Sequence, residues 1–371
     1  MPTNSRILGS IFDQGDSSQR RFAHLDSLRA VAILIVVASH STFGEVIQGG
    51  LGVTIFFVIS GFIITHLLLA ERDKTGAFDI KGFFYRRFTK IGPPLLVTVL
   101  MPGLLFSVFY WGSIIDWLSQ VFFFFNWLYL DDQAAVIPGS SVVWSLSIEE
   151  QFYIAFALIW LAIAKSANAL NWLTVGSAAV AVLSAGARIL LYFNGASGTR
   201  IYYGSDTRFE AIAIGVLLAA LMHRAAQQPK APISDLKANA YDLGLIAAIV
   251  VLVATANQRE PFFVETWRYS VQAIAAASII FYGFQNTQTL ARKVFNRVVS
   301  NRGLLLIGVS SYSTYLTHLM LIYALDTQIK RMPTLAKAAI FIGVALAVGI
   351  ALYYLIEKPI AIYKARRRLQ K

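Results

Sequence analysis

Ten apolar runs of membrane-crossing length succeed one another along the chain, at 25–43, 50–69, 93–110, 144–164, 172–192, 209–222, 243–256, 269–284, 304–323 and 338–356. A helix that crosses the hydrocarbon needs ~20 mostly apolar residues, fewer where neighbouring helices bury it. Charged residues make up only 14% of the 371, against about 25% in an ordinary soluble domain, so lipid must be part of the solvent. An eleventh apolar stretch, 114–130, is crowded with Trp117, Phe122 to Phe125, Trp127 and Tyr129. It reads as interfacial or re-entrant, because a further crossing would spoil the charge pattern. The expected fold is an all-α polytopic membrane protein of about ten transmembrane helices, N-in and C-in, with that one aromatic segment lying at or re-entering an interface.

The direction comes from charge. Lys and Arg are retained on the cytoplasmic side of short loops. With the N-terminus inside, the inner segments hold 23 of the 32 cations and the outer segments seven, while Arg29 and Arg188 fall within spans. The net charge of +12 therefore belongs mainly to one membrane face, and no basic segment carries a nucleic-acid-binding pattern. Arg20-Arg21 could be taken for a twin-arginine export signal. The apolar run after it contains Arg29 and His40 and lacks a convincing cleavage site, so it reads as a retained first span. Three segments are expected: a cytoplasmic stretch over 1–22, an integral membrane domain over 23–360 and a basic cytoplasmic tail over 361–371. The absence of cysteine excludes disulfides, thiolate metal sites and a cysteine thioester. The five histidines show no ligand spacing, so no metal is expected.

Ionisable residues inside spans are functional candidates by default, since each costs several kcal/mol if unpaired. Arg29 and His40 are eleven positions apart, three helical turns, which puts them on one face ~16 Å apart along the axis. A topology anchor and a satisfied core histidine are the plain alternative. Trp144-Ser145-Leu146-Ser147-Ile148-Glu149-Glu150 opens the fourth span from outside, and the ninth span runs outward to His318. Glu149, Glu150 and His318 are thus expected at the level of His40. A histidine with a carboxylate partner is general-base equipment. Asp206, Arg208 and Glu210 mark the outer entry to the sixth span; Asp206 and Arg208 are also explained as interfacial caps. On the inner face, Arg86, Arg87 and Lys90 precede Gly92-Pro93-Pro94 and either clamp phosphates or serve as ordinary positive-inside charge. Small residues at Gly50, Gly52, Ser60 and Gly61 permit close helix packing or leave a slot for an acyl-pantetheine arm.

Taken in order, Arg29-x10-His40, the Gly52 to Gly61 run, Arg86-Arg87 before a proline-containing span, Trp144-Ser145-Leu146-Ser147-x-Glu149, Asp206-Thr207-Arg208, Ser311-x3-Tyr315-x2-His318 and Glu357-Lys358-Pro359 resemble the membrane acyltransferase family 3. The motifs run from about residue 24 to 360. The resemblance implies transfer of an acyl group, often acetyl, from cytoplasmic acyl-CoA to a hydroxyl of a glycan, lipid-linked sugar or other exported acceptor in a bacterial inner membrane. It implies His40 as the catalytic histidine and Arg29 as its motif partner; Glu149 or a neighbour is expected to orient the ring, which makes Glu149 a catalytic candidate. It also implies Arg29, Arg86, Arg87, Lys90, Asp206, Arg208, Ser311, Tyr315 and His318 as substrate-binding residues. Acyl-CoA would be a donor substrate; no tightly bound cofactor is expected. The partners are the acyl-CoA, a hydroxylated, carbohydrate acceptor and the bilayer, without nucleic acid. Lys90 and Leu95 stand where the family often has Arg and Tyr. The extracytoplasmic hydrolase-like domain that some members carry at the C-terminus is not expected here. A transporter or flippase is the alternative that also accounts for buried charge, although no inverted repeat is visible.

Overall fold

The protein is described from a computed structural model covering residues 22–109, 113–131, 139–228 and 232–369. No strand occurs among the described residues. In hydrocarbon each backbone N–H and C=O must be satisfied within the chain, which favours helices. The helices are α1 (Ala23–Ser41), α2 (Gly50–Thr75), α3 (Ile80–Leu95), α4 (Met101–Phe109), α5 (Ile114–Val121), α6 (Phe125–Leu128), α7 (Val143–Ile163), α8 (Ala169–Phe193) and α9 (Gly198–Tyr203). They continue as α10 (Ser205–Ala226), α11 (Asp235–Ala256), α12 (Pro261–Glu265), α13 (Arg268–Gly283), α14 (Leu290–Val299), α15 (Arg302–Val309), α16 (Ser311–Ile329), α17 (Thr334–Leu352) and α18 (Lys358–Leu369).

Eight helical stretches among the described residues are long and apolar enough to cross a membrane, and a ninth crossing is made if α15 and α16 count as one bent span. The tenth expected run, 269–284, forms the 16-residue α13, which also joins the two ends of the bundle: the Gln258 carbonyl ahead of it is bonded to Gln48 at one end, and Gly283 at its close lies against His24 at the other. Its length is ~24 Å, short of the ~30 Å hydrocarbon thickness. Ten of its sixteen residues are buried, many of them alanines, and it packs against α2, α10 and α11. Protein, not lipid, surrounds most of it. The aromatic stretch at 114–130 is broken into α5 and α6, of eight and four residues, neither able to cross.

Contacts at the helix ends alternate as a serpentine bundle requires. At one end Arg72 donates to the Ala164 and Ser166 carbonyls at 2.8 and 3.0 Å, and Ser27 donates to the Val299 carbonyl at 2.8 Å. At the other end Gln48 donates to the Gln258 carbonyl at 2.7 Å. The first end gathers the segments richest in Lys and Arg, so it is the basic end.

Two departures from regular helix shape the centre. Gly92-Pro93-Pro94 does not end a helix: α3 runs through both prolines and passes into a π-helical turn, Leu96–Leu100, before α4. Both prolines lack a backbone donor, and where the helix passes into the π turn the Thr98 hydroxyl donates to the Pro94 carbonyl at 2.8 Å. The third span therefore begins at Ile80 and carries its basic residues inside the helix. The second departure is the 72° bend between α15 and α16 at Ser310. There the Ser310 hydroxyl donates to the Leu306 carbonyl at 2.9 Å.

Close backbone approach sets the core. A Cβ at Gly61 would collide with the Ile212 carbonyl oxygen of α10, and one at Gly215 would collide with the Val58 carbonyl of α2. Gly52 meets the Ala32 carbonyl of α1 in the same way. Of the two readings for this run, Gly52 and Gly61 serve packing, whereas Ser60 faces a cavity. Gly61→Val should destabilise the bundle by ~1–3 kcal/mol through overpacking, lowering the melting temperature of the detergent-solubilised protein. An unchanged melt would contradict this packing.

Candidate active site

A cavity of ≈130 Å³ opens among α1, α2, α3, α7, α15, α16 and the α17–α18 junction. Its charged lining comprises Arg29, Arg87, Lys90, Glu149 and Glu357. The hydroxyls of Ser145, Ser311, Tyr312 and Tyr315 complete its polar lining. Each charge comes from a different structural device. Arg29 sits six residues into α1, nearly two turns, and pairs with Asp26 at 3.3 Å. Arg87 and Lys90 share a face of α3 because they are three residues apart. The Ser310 bend turns Ser311, Tyr312 and Tyr315 toward the same space, and Tyr312 ties the bend to α3 by donating to the Ile91 carbonyl at 3.0 Å.

Arg87 is held on two sides. Its guanidinium stacks 3.3 Å from the Tyr153 ring centre, and its Nη2 lies 3.9 Å from Glu150 Oε1. Tyr153 is itself bonded to Ser60. Ser313 donates to Glu357 Oε1 at 2.6 Å. At the other part of the cavity Ser145 Oγ and the Tyr315 hydroxyl are 2.7 Å apart, and Tyr315 donates to the Val142 carbonyl at 3.1 Å. A hydroxyl pair on two facing helices can hydrogen-bond a carbonyl or a developing oxyanion.

His40 lies near the end of α1, outside the cavity lining, with its ring exposed. Its Nδ1 is 3.0 Å from the Val36 carbonyl and 3.2 Å from Nε2 of the fully buried His318. His318 Nδ1 is 2.7 Å from the carbonyl of Tyr315. His318 is thus three residues, nearly one helical turn, beyond Tyr315, and His40 lies against it from α1.

The structure brings together Arg29, Arg87, Lys90, Glu149, Ser311 and Tyr315 around one cavity, with His40 and His318 next to it. Four expectations change. Arg86 does not face the cavity; it forms an ion pair with Glu71 at 2.8 Å at the end of α2. Glu149 is not level with His40. It sits six residues into α7, ~9 Å below the helix start, so it reaches the charged part of the cavity while Ser145 takes the level of Tyr315. His40 has His318 as its side-chain partner in place of a carboxylate. Finally, Asp206 and Arg208 belong to a separate cluster. Asp206 takes a two-pronged bond from Arg200, at 2.8 and 2.6 Å, while the buried Arg208 reaches Thr54 at 3.3 Å and stacks 4.0 Å from the Tyr269 ring.

Sequence reasoning did not assign Ser60, Tyr153 or Glu357 to the site. Glu357 was legible as an ionisable residue at the end of the last apolar run, which the charge count placed in the inner segment. Tyr153 and Ser60 carry no spacing signal, because their roles depend on Arg87 arriving from α3. Arg188, conspicuous as a cation within a span, is structural: it donates to the Thr266 and Thr207 carbonyls and to Ser270 Oγ at 2.6, 3.0 and 2.7 Å, and its Nη2 is 2.7 Å from Glu210.

Similarity to known proteins agrees with the motif order. The acyltransferase domain family model matches residues 22–354. The peptidoglycan O-acetyltransferase OatA of Listeria monocytogenes serovar 1/2a (strain ATCC BAA-679 / EGD-e) is 28% identical over 361 residues, covering 92% of this chain and 56% of its own. A putative O-acetyltransferase of Staphylococcus aureus strain COL is 30% identical over 325 residues, covering 82% of this chain and 52% of its own. The O-acetyltransferase OatA of Staphylococcus aureus strain NCTC 8325 / PS 47 is 30% identical over 323 residues, covering 81% and 50%. The chain spans about half the length of these curated relatives. No solved structure matches it. With the family model running across nearly the whole helical bundle, the chain belongs to the acyltransferase 3 family of integral membrane proteins.

Proposed function

We propose that this chain is a membrane O-acyltransferase that moves an acyl group, acetyl by the names of its relatives, from acyl-CoA to a carbohydrate hydroxyl. The observation that carries the reading is one cavity that has paired cations in one part and a hydroxyl pair next to two linked histidines in the other. The basic end faces the cytoplasm of a bacterial inner membrane, in keeping with the retention of Lys and Arg on that side. Residues 23–360 form the catalytic membrane domain, between a cytoplasmic stretch over 1–22 and a basic cytoplasmic tail over 361–371.

The donor's phosphates bind Arg87 and Lys90, with Arg29 further along the wall. Guanidinium and ammonium groups suit phosphate because their bonds to it are charge-assisted. The acyl-thioester extends toward Ser145 and Tyr315. There the acceptor oxygen attacks the thioester carbonyl carbon, the C–O bond forms and the C–S bond breaks. His40 takes the acceptor's proton and returns it to the departing CoA sulfur, so that the products are the ester and free CoA thiol. Tyr315 turns its hydroxyl proton from the Val142 carbonyl to the carbonyl oxygen as it becomes negative, and Ser145 supports the Tyr315 oxygen. Glu149 and Glu357 balance the cations that line the cavity. Asp206 and Arg208 organise the acceptor side of the bundle around α9 and α10.

His40→Ala should abolish acyl transfer while leaving the protein folded in membranes; retained transfer contradicts the assignment. Arg87→Ala and Lys90→Ala should each raise KM for acetyl-CoA by ~10–100-fold, the scale of one lost charge-assisted hydrogen bond. Arg86→Ala, which removes the partner of Glu71, should raise it far less. Equal effects at Arg86 and Arg87 would count against this donor site. A transporter built on the same bundle would release no free CoA, so CoA thiol production dependent on an added sugar acceptor separates the two functions.

A further inference from the structure

We infer that His318 is a positioning residue for the reaction, fixing the proton and direction of the His40 ring, and not a ligand for substrate; this rests on the proposed role of His40 as general base. The hydrogen bonds around the two rings admit one consistent assignment. A carbonyl oxygen only accepts, so His318 Nδ1, 2.7 Å from the Tyr315 carbonyl, carries the proton. With one proton on the ring, His318 Nε2 is a bare acceptor. It lies 3.2 Å from His40 Nδ1, which is also 3.0 Å from the Val36 carbonyl. Both neighbours of His40 Nδ1 accept, so that nitrogen carries the His40 proton. The opposite tautomer would bring lone pairs together at both contacts.

The consequence is chemical. His40 Nε2 is left as an unprotonated nitrogen, and among the described residues it makes no hydrogen bond. It is therefore available to take a proton. The Val36 bond comes from one turn back on the same helix, so it moves with α1. The His318 bond comes from α16, the helix that also supplies Tyr315, and His318 is fully buried at 0% exposure. One short segment, Tyr315 to His318, thus sets both the hydroxyl next to the cavity and the direction of the base. When His40 becomes an imidazolium, the Nδ1–H···Nε2 bond to His318 becomes charge-assisted and strengthens, stabilising the charged state where it forms. This is the job done elsewhere by a carboxylate behind a histidine, here carried out by an uncharged ring inside a bundle where another buried charge would be costly.

The test uses the full-length protein in bilayers. His318→Phe keeps a planar ring and removes the acceptor; kcat should fall ~10–100-fold, as for one charge-assisted hydrogen bond, with KM for acetyl-CoA and for the sugar acceptor little changed. His318→Gln can place an amide oxygen near the lost nitrogen and should recover much of that rate. A role in substrate binding would instead raise KM at steady kcat, and a purely structural role would leave Gln no better than Phe; either result overturns the inference. Solid-state nitrogen NMR of histidine-labelled protein gives a readout that needs no activity. The His40 resonances, identified by their loss in His40→Ala, should report the Nδ1–H tautomer in the wild type, and an Nε2–H tautomer would refute the inference. If His40→Ala remained active, the general-base reading would fall, whichever tautomer the spectrum showed.

Discussion

A charge inside a membrane bundle persists only where protein supplies its partner, and this constraint organises the whole molecule. It has been met in two different ways. Around Arg188 every side is closed: two carbonyls, a serine hydroxyl and a carboxylate satisfy a guanidinium with no exposed surface. That knot joins α8, α10 and α13 and leaves nothing to bind. Around Arg87 the closure is partial. An aromatic face and one distant carboxylate oxygen hold the guanidinium, while open volume remains beside it. The first arrangement builds a wall and the second builds a site.

The backbone geometry follows from the same need. Glycines 52, 61 and 215 let α1, α2 and α10 approach at backbone distance, producing a rigid block on one side of the cavity. Opposite it stand the irregular elements, the π-helical turn after two prolines and the bend at Ser310. Irregular backbone is tolerated at membrane depth only where it is buried in protein or lines a cavity. Here Thr98 and Ser310 hydroxyls bond nearby carbonyls, and the bend presents Ser311, Tyr312 and Tyr315 inward.

Most of the architecture was legible in the sequence, because apolar length and cation bias are one-dimensional signals. Every expected span corresponds to a helix, and the aromatic stretch at 114–130 is too broken to cross. What the apolar run of α13 did not reveal is how much of it is buried by protein, since burial in lipid and in protein give the same signal. The site was legible in part. Arg29, Arg87, Lys90, Ser311 and Tyr315 could be named because their motifs are local. Depth could not be read in the same way. Glu149 was expected beside His40 from its place near a span end, but six residues into α7 it already lies nearly two turns from that end, at the charged part of the cavity. Arg86 and Arg87 look alike in the sequence, and the helical turn of 100° sends one to Glu71 and the other to the cavity. The ninth span's direction already set His318 at the level of His40, although not their ring-to-ring bond, whereas the pairing of Ser60 with Tyr153 has no sequence signature.

The chemistry proposed depends on a donor and an acceptor meeting across the bundle, one entering at the basic end and the other at the end that carries His40. The most direct test reconstitutes the protein in sealed vesicles with its orientation determined, supplies acetyl-labelled acetyl-CoA to one face only and confines an N-acetylglucosamine oligomer to the opposite lumen or medium. Label should become ester-linked to the sugar only when the donor meets the face bearing Arg87 and Lys90, with free CoA appearing on that same side. Transfer that requires both substrates on one face, or sugar labelling that proceeds equally from either side, would contradict passage through this cavity.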